Sequence, residues 1–118
     1  MSKNYIEEAT LIQENMVSFL RDIVAIPSPS CEEKGVAERT KSEMEMLGYD
    51  EVRIDSLGSV IGKIGDGEKI ILYDSHMDTV GIGDPDAWAH DPYKGKVKDG
   101  IVYGRGAADN KGGLAAIV

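Results

Sequence analysis

From Asn4 to Ala25 the apolar residues return at helical spacing: Ile6, Ala9, Ile12, Met16, Phe19, Leu20, Ile23 and Val24. This pattern predicts an amphipathic helix with one face turned toward a core. Pro27 and Pro29 end it, because a proline ring pushes the preceding residue out of the helical region. Ser30-Cys31-Glu32-Glu33 then has the form of a capping box, with Ser30 as N-cap and Glu33 reaching back to it. A second helix follows, carrying Val36, Ala37, Thr40, Met44 and Leu47 on one face, and Gly48 suits its C-terminal cap. That register puts Cys31 in the first turn of a helix, where a thiolate is favoured. No His or Lys–Arg cluster adjoins it, so it reads as an unreactive thiol.

After Gly48 the period changes to that of strands. Glu51 to Asp55 alternates, with Val52 and Ile54 on one face; Gly58-Ser59 turns the chain, and Val60 to Ile64 reads as a second strand. Gly65-Asp66-Gly67 is a further hairpin signal, and Lys69 to Tyr73 is a short, mostly apolar run of the kind covered on both faces of a sheet. From Asp74 to Pro92 comes a long polar segment with Gly81, Gly83 and Pro85. Connections of that length are usually functional. Lys96-Val97-Lys98, Asp99-Gly100 and Ile101-Val102-Tyr103 predict another hairpin, which Gly104-Arg105-Gly106 ends before a helix around Asp109. Helices, then strands, then a helix point to an α/β layered fold, with a mixed central sheet flanked by helices.

Composition narrows the partners. At 118 residues one core is expected, and 13 Lys and Arg against 21 Asp and Glu give a net charge of -8. That balance lacks the basic footprint needed to neutralise nucleic-acid phosphates or anionic lipid, so neither nucleic acid nor membrane is expected as a partner. A single cysteine precludes an intrachain disulfide and a cysteine-rich zinc finger. The opening residues carry acids where a signal peptide has its apolar region, and no apolar stretch approaches the length that spans a bilayer. The expected compartment is the cytoplasm.

Several familiar motifs fail by counting. Gly104-x-Gly106 has Asp109 where a dinucleotide fingerprint has its third glycine, and Gly58 to Lys63 is one residue short of a phosphate-binding loop. What remains is His76-Met77-Asp78, just after the apolar run, at a strand end of the kind where α/β ligand crevices form. Neutral imidazole binds zinc well, and an aspartate two residues on can orient the ring or serve acid–base chemistry. A solvated loop histidine beside a turn aspartate is the plainer alternative. The second element, Gly104 to Gly113, holds four glycines in ten residues, which implies close backbone approach to something. Asp109 within it is either a helix-capping carboxylate or one presented to a cation.

Together these two elements resemble the di-zinc family of aminoacylase, acetylornithine deacetylase, succinyl-diaminopimelate desuccinylase and glutamate carboxypeptidase. The resembling stretch runs from Tyr73-Asp74-Ser75-His76-Met77-Asp78-Thr79-Val80 to Gly104-Arg105-Gly106 and Asp109-Asn110-Lys111-Gly112-Gly113. Trp88, Asp91-Pro92-Tyr93 and Asp99-Gly100 look like the family's linking segment, and Ile26-Pro27-Ser28 with the helix after it matches its usual opening.

The resemblance implies a zinc-peptidase-like catalytic domain of which residues 1–118 are the N-terminal portion, truncated, with the rest of that domain and the lid and dimerisation domain absent. It implies that His76 ligates one zinc ion, that Asp109 bridges two, and that Asp78 holds His76 from behind; cobalt is an alternative metal. It also implies a cis peptide between Asp109 and Asn110, the latter standing where relatives often carry methionine. His90 has no counterpart and reads as a loop residue, and Trp88 as a packing one. The implied activity of the parent protein is metal-dependent hydrolysis of an amide bond in a small N-acyl amino acid or dipeptide, by a homodimer joined through the lid. The general-base glutamate and three further ligands are expected downstream, so the chain alone is expected to be inactive. The alternatives are a catalytically silent fragment and a non-catalytic binding module that keeps the scaffold.

Overall fold

The computed structural model describes residues 4–118. Its first helix, α1 (Tyr5–Val24), follows the predicted periodicity and stops short of the two prolines. Only its C-terminal half is buried, through Phe19, Ile23 and Val24, whereas Ile6, Leu11 and Ile12 stay open to solvent. The second helix, α2 (Lys34–Met46), turns Val36, Ala37, Thr40 and Met44 inward. Arg39 ties the two helices together. Its Nη2 lies 2.9 Å from Asp22 Oδ2 on α1 and 2.7 Å from Glu43 Oε2, with the guanidinium 4.9 Å above the Phe19 ring. At the end of α2, Gly48 takes φ +82°; its N–H donates to Glu45 O and that of Tyr49 to Met44 O, the paired bonds of a Schellman cap.

The start of α2 differs from the sequence expectation. Glu33 occupies the N-cap position and no side chain caps the helix. Glu33 Oε1 accepts from the Cys31 N–H at 2.9 Å, and Cys31 sits exposed at φ +72° in a turn before the helix, not in its first turn. The Ser30 hydroxyl is drawn elsewhere: it donates to the Asp78 carboxylate, 48 residues away. A charged acceptor makes the stronger hydrogen bond, so it displaces the neutral cap.

Two hairpins follow. Strands β1 (Glu51–Ile54) and β2 (Val60–Lys63) pair antiparallel, Glu51 opposite Lys63 and Ile54 opposite Val60. Asp55 shapes their loop by accepting the N–H groups of Leu57 and Ser59, each at 2.9 Å. Gly62 lets this hairpin lie on α2, since a Cβ there would come within 2.6 Å of the Tyr49 ring and 2.7 Å of the Met44 sulfur. Strands β3 (Lys96–Lys98) and β4 (Ile101–Tyr103) pair around Asp99 and Gly100, both at positive φ, as a tight two-residue hairpin turn requires.

Helices with short antiparallel strands make this an α/β chain. The strands, however, form two separate two-stranded sheets and not one mixed sheet. The apolar run expected to be a covered strand is the reason. Ile70, Ile71, Leu72 and Tyr73 are 90%, 76%, 86% and 70% exposed, and the run pairs with no strand among the described residues. Strand propensity without a neighbour to take the backbone N–H and C=O groups does not make a sheet.

The core gathers both ends of the chain. Phe19 and Ile23 of α1, Val36 of α2, and Leu114 and Ala115 of α3 (Gly112–Ile117) form it, with Met77 packed against its edge. Among the described residues, no helix is long and apolar enough to cross a membrane.

Candidate metal centre

His76-Met77-Asp78 lies in the irregular segment after the unpaired run, and the core grips it by its middle residue. Met77 packs inward, its carbonyl accepts from Ser28 Oγ at 2.8 Å, and the Thr79 N–H donates to Ser28 O at 2.8 Å. Met77 packs against the core while the His76 and Asp78 side chains on either side of it stay open to solvent. Their side chains are 48% and 39% exposed.

Asp109 arrives from the opposite side. After β4, Gly106 at φ +77° reverses the chain into a kinked turn, Ala107–Lys111, in which Asp109 (φ -126°, ψ 94°) and Asn110 leave helical geometry. The regular helix therefore begins at Gly112, later than the sequence suggests, and Asp109 is not its cap. The Asp109–Asn110 peptide is cis. Lys111 pins this turn to the rest of the molecule: it is 1% exposed, and its Nζ donates to Ile23 O and Ile26 O, each at 2.7 Å. Both carbonyls lie at the end of α1, where Ile23 O also accepts from the Ile26 N–H at 3.3 Å.

The two segments meet. His76 Nε2 lies 2.9 Å from Asp109 Oδ1, across 33 residues of sequence. On the other side of the ring, Nδ1 is 3.1 Å from Asp78 O and 3.2 Å from Asp78 Oδ1. Asp78 Oδ2 in turn accepts from Ser30 Oγ at 2.6 Å. Every neighbour of both ring nitrogens is an acceptor, an arrangement that favours the doubly protonated ring. The hydrogen bond to Asp109 raises the His76 pKa above its usual value against desolvation, the Asp78 backbone bond and both negative charges adding to the rise. The Ser30 hydrogen bond holds Asp78 below the usual carboxylate range, with His76 contributing.

This donor set suits a metal ion. One imidazole nitrogen and one carboxylate oxygen, both zinc-binding types, face each other with a proton between them where another cation could sit. Metal–ligand bonds of about 2.0–2.1 Å at a tetrahedral angle put such a nitrogen and oxygen about 3.3 Å apart, a few tenths of an ångström beyond the spacing here. Asp109, with its side chain 90% exposed, keeps its other face open to a second ion. Among the described residues, no group of three or more His, Cys, Asp or Glu is placed to hold a metal.

Residues 72–118, the stretch that contains both segments, match the model of peptidase family M20/M25/M40. The chain matches a fragment of the M20 peptidase family. It is 49% identical over 116 residues to the Escherichia coli (strain K12) protein named Uncharacterized protein YgeY, covering 98% of this chain and 29% of that protein. It is 34% identical over 109 residues to succinyl-diaminopimelate desuccinylase of Rhodospirillum centenum, and 35% identical over 111 residues to the probable succinyl-diaminopimelate desuccinylase of Staphylococcus epidermidis. Those matches cover 86% and 92% of this chain, and 28% and 27% of the two relatives. The chain thus spans under a third of the length of the curated relatives it matches.

The glycines from Gly104 to Gly113 have a physical role that spacing alone does not reveal. The space they leave is filled by the protein itself. A Cβ on Gly104 would meet Val24 Cγ1 at 2.4 Å, one on Gly106 would meet Thr79 Cγ2 at 2.4 Å, and one on Gly113 would meet Asn110 Oδ1 at 2.3 Å. Gly106 against Thr79 is the contact that brings the Asp109 turn beside the His76 segment. Asn110 donates from Nδ2 to Ser75 Oγ at 3.0 Å and so adds a second tie between the segments. His90 stacks edge-on against Tyr103 at 4.9 Å between ring centres, and Trp88 lies under the Arg105 guanidinium at 4.8 Å and donates to Ile82 O. Both are packing residues. Lys111 and Ser30 are the two residues whose roles the sequence did not disclose; a lysine inside an otherwise small-residue turn was the available signal for the first.

Proposed function

We propose that this chain carries the first part of the catalytic domain of a zinc-dependent hydrolase that cleaves an amide bond in a small N-acyl amino acid or dipeptide. The observation that carries this reading is the meeting of His76 Nε2 and Asp109 Oδ1 at 2.9 Å, with Asp78 behind the ring. Two relatives named for desuccinylation support the amide class, since removing a succinyl group from an amine breaks an amide bond. In this reading the whole protein is a cytoplasmic homodimer joined by a lid domain, acting on a small acylated substrate and on neither nucleic acid nor membrane.

His76 and Asp109 would hold the metal, Asp109 shared between two ions, with zinc as the resident metal and cobalt as a substitute. Zinc, when bound, polarises an amide carbonyl and makes water more acidic. Asp78 keeps the hydrogen on His76 Nδ1, which leaves the Nε2 lone pair for the metal. Ser28 and Met77 hold the backbone of this segment, and Lys111 holds that of the Asp109 turn, so both donors are positioned before any ion arrives.

A catalytic zinc ordinarily takes three protein ligands. His76 and Asp109 supply two, so the 118-residue chain alone binds zinc weakly and does not hydrolyse amides. Calorimetric zinc titration of the chain and of its His76→Ala and Asp109→Ala variants, with a ninhydrin assay on N-acyl amino acids, tests this. Weak binding lost in both variants, and no hydrolysis, is the expected result. Zinc binding indifferent to both substitutions refutes the assignment; tight binding with hydrolysis means that other residues of the chain complete the site.

A further inference from the structure

The segment between α1 and α2 has a use beyond joining helices. Pro27-Ser28-Pro29-Ser30 crosses behind the His76 segment and makes three hydrogen bonds to three consecutive residues there. Ser28 Oγ donates to Met77 O at 2.8 Å, the Thr79 N–H donates to Ser28 O at 2.8 Å, and Ser30 Oγ donates to Asp78 Oδ2 at 2.6 Å. The first two fix the backbone, and Ser28 is fully buried. The third fixes a side chain. Pro29 removes a backbone donor from the strap, and each proline biases its predecessor, Ile26 or Ser28, toward extended backbone, so alternate serines present their hydroxyls to the same neighbour.

The Asp78 carboxylate has two tasks for its two oxygens. Oδ1 faces His76 Nδ1 at 3.2 Å and Oδ2 takes the Ser30 hydroxyl. Rotation about the terminal bond of an aspartate is soft, so a carboxylate gripped by one oxygen alone turns readily. At 2.6 Å the Ser30 bond is in the short range of hydroxyl donors to charged acceptors. The hydroxyl is not engaged as a helix cap, because α2 begins later and has no side-chain cap.

We propose that Ser30 is a positioning residue of the metal centre: its hydroxyl sets the rotation of the Asp78 carboxylate, and Asp78 in turn sets the ring of His76. This rests on the metal-ligand reading of His76 for its functional meaning. The relay itself is present without metal and is testable there.

The test is long-range 1H–15N NMR of the histidine rings in the metal-free 118-residue chain. Its other histidine, His90, packs on Tyr103 and serves as internal reference, with His90→Gln assigning the signals. Ser30→Ala is expected to move the His76 Nδ1 signal and leave His90 in place, and Ser30→Thr, which keeps the hydroxyl, to restore the original position. In an Asp78→Ala background, Ser30→Ala is expected to change nothing further at His76. An unmoved His76 signal in Ser30→Ala overturns the proposal, and so does an equal shift with Asp78 absent, since the effect would then travel through the backbone. Should Ser30→Ala not fold, a displaced His76 signal in the folded Ser30→Thr variant overturns it as well, and an unmoved one supports it. Adding zinc chloride separates the two readings. Failure of excess zinc to perturb His76 removes the metal assignment while leaving the Ser30 relay standing. In the longer protein that contains this stretch, Ser30→Ala is expected to lower turnover by about 3- to 10-fold, less than the loss on deleting a direct partner of a metal ligand.

Discussion

Replacing Lys111 with methionine tests how the Asp109 turn is held. Methionine keeps the length and the apolar stem but removes the ammonium that donates to Ile23 O and Ile26 O at 2.7 Å each. An acceptor left buried without a partner costs about 1–3 kcal/mol. The Ile23 carbonyl keeps its bond from the Ile26 N–H at 3.3 Å, so the loss falls on the partly buried Ile26 carbonyl, about 1–3 kcal/mol. The ammonium itself is strained by its surroundings: desolvation lowers its pKa from 10.5 to about 8. The unfolded chain therefore binds the proton more tightly than the folded one between those values, and stability rises with pH across that window. At 1.36 kcal/mol per pKa unit the rise amounts to about 3 kcal/mol, absent below pH 8 and complete near pH 10.5. Urea unfolding followed by far-ultraviolet circular dichroism, on the wild-type chain and Lys111→Met, measures both quantities. Taking the difference between the two proteins cancels the tyrosine titrations. A wild-type advantage that grows by about 3 kcal/mol between pH 7 and pH 10.5 is expected, its pH 7 value being the lost acceptor contact less the desolvation relieved with the ammonium. Equal stability at pH 7 with a flat difference would refute the reasoning.

Asp78→Ala, in the longer protein, is expected to lower turnover by about 10- to 100-fold while much of the metal stays bound; unchanged turnover removes Asp78 from the site. In the metal-free chain, the NMR titration midpoint of His76 is expected above its ordinary 6.5, and Asp109→Asn to bring it down. The sign follows from that direction: the imidazolium contacts stabilise the fold fully below the unfolded value, and their contribution fades as pH rises through the elevated folded one. Gly104→Ala is expected to destabilise by about 1–3 kcal/mol, read as a lower urea midpoint, because the added Cβ would lie 2.4 Å from Val24 Cγ1. A neutral result there would mean that α1 shifts freely against the turn.

The helices and both hairpins were legible because their signals are local: apolar spacing, prolines, and glycine or aspartate at turn positions. The approach of His76 and Asp109 was expected as well, and the structure brings them within hydrogen-bond distance. Other features were not legible: the turn signal at Gly65-Asp66-Gly67 closes no hairpin among the described residues, and the Lys111 contacts to Ile23 and Ile26 lie outside its local sequence. Ser30 looked like a helix cap since sequence shows only its near neighbours, whereas the carboxylate it engages lies 48 residues away. The run at Ile70 to Tyr73 looked like a buried strand because composition records what a segment prefers and not whether a partner strand is present.

The joining of chain ends in one core also dictates an order of events during synthesis. Ile23 meets Lys111 across 88 residues, and Leu114 completes the same cluster. A ribosome adding about 5–20 residues per second reaches Lys111 about 4–18 s after Ile23. Throughout that interval the apolar face of α1 has no α3 to dock on. Both hairpins, whose contacts are short-range, can close during the wait, and α1 can meet α2 through Val36 and Arg39, so the contacts of α3 are the last to form.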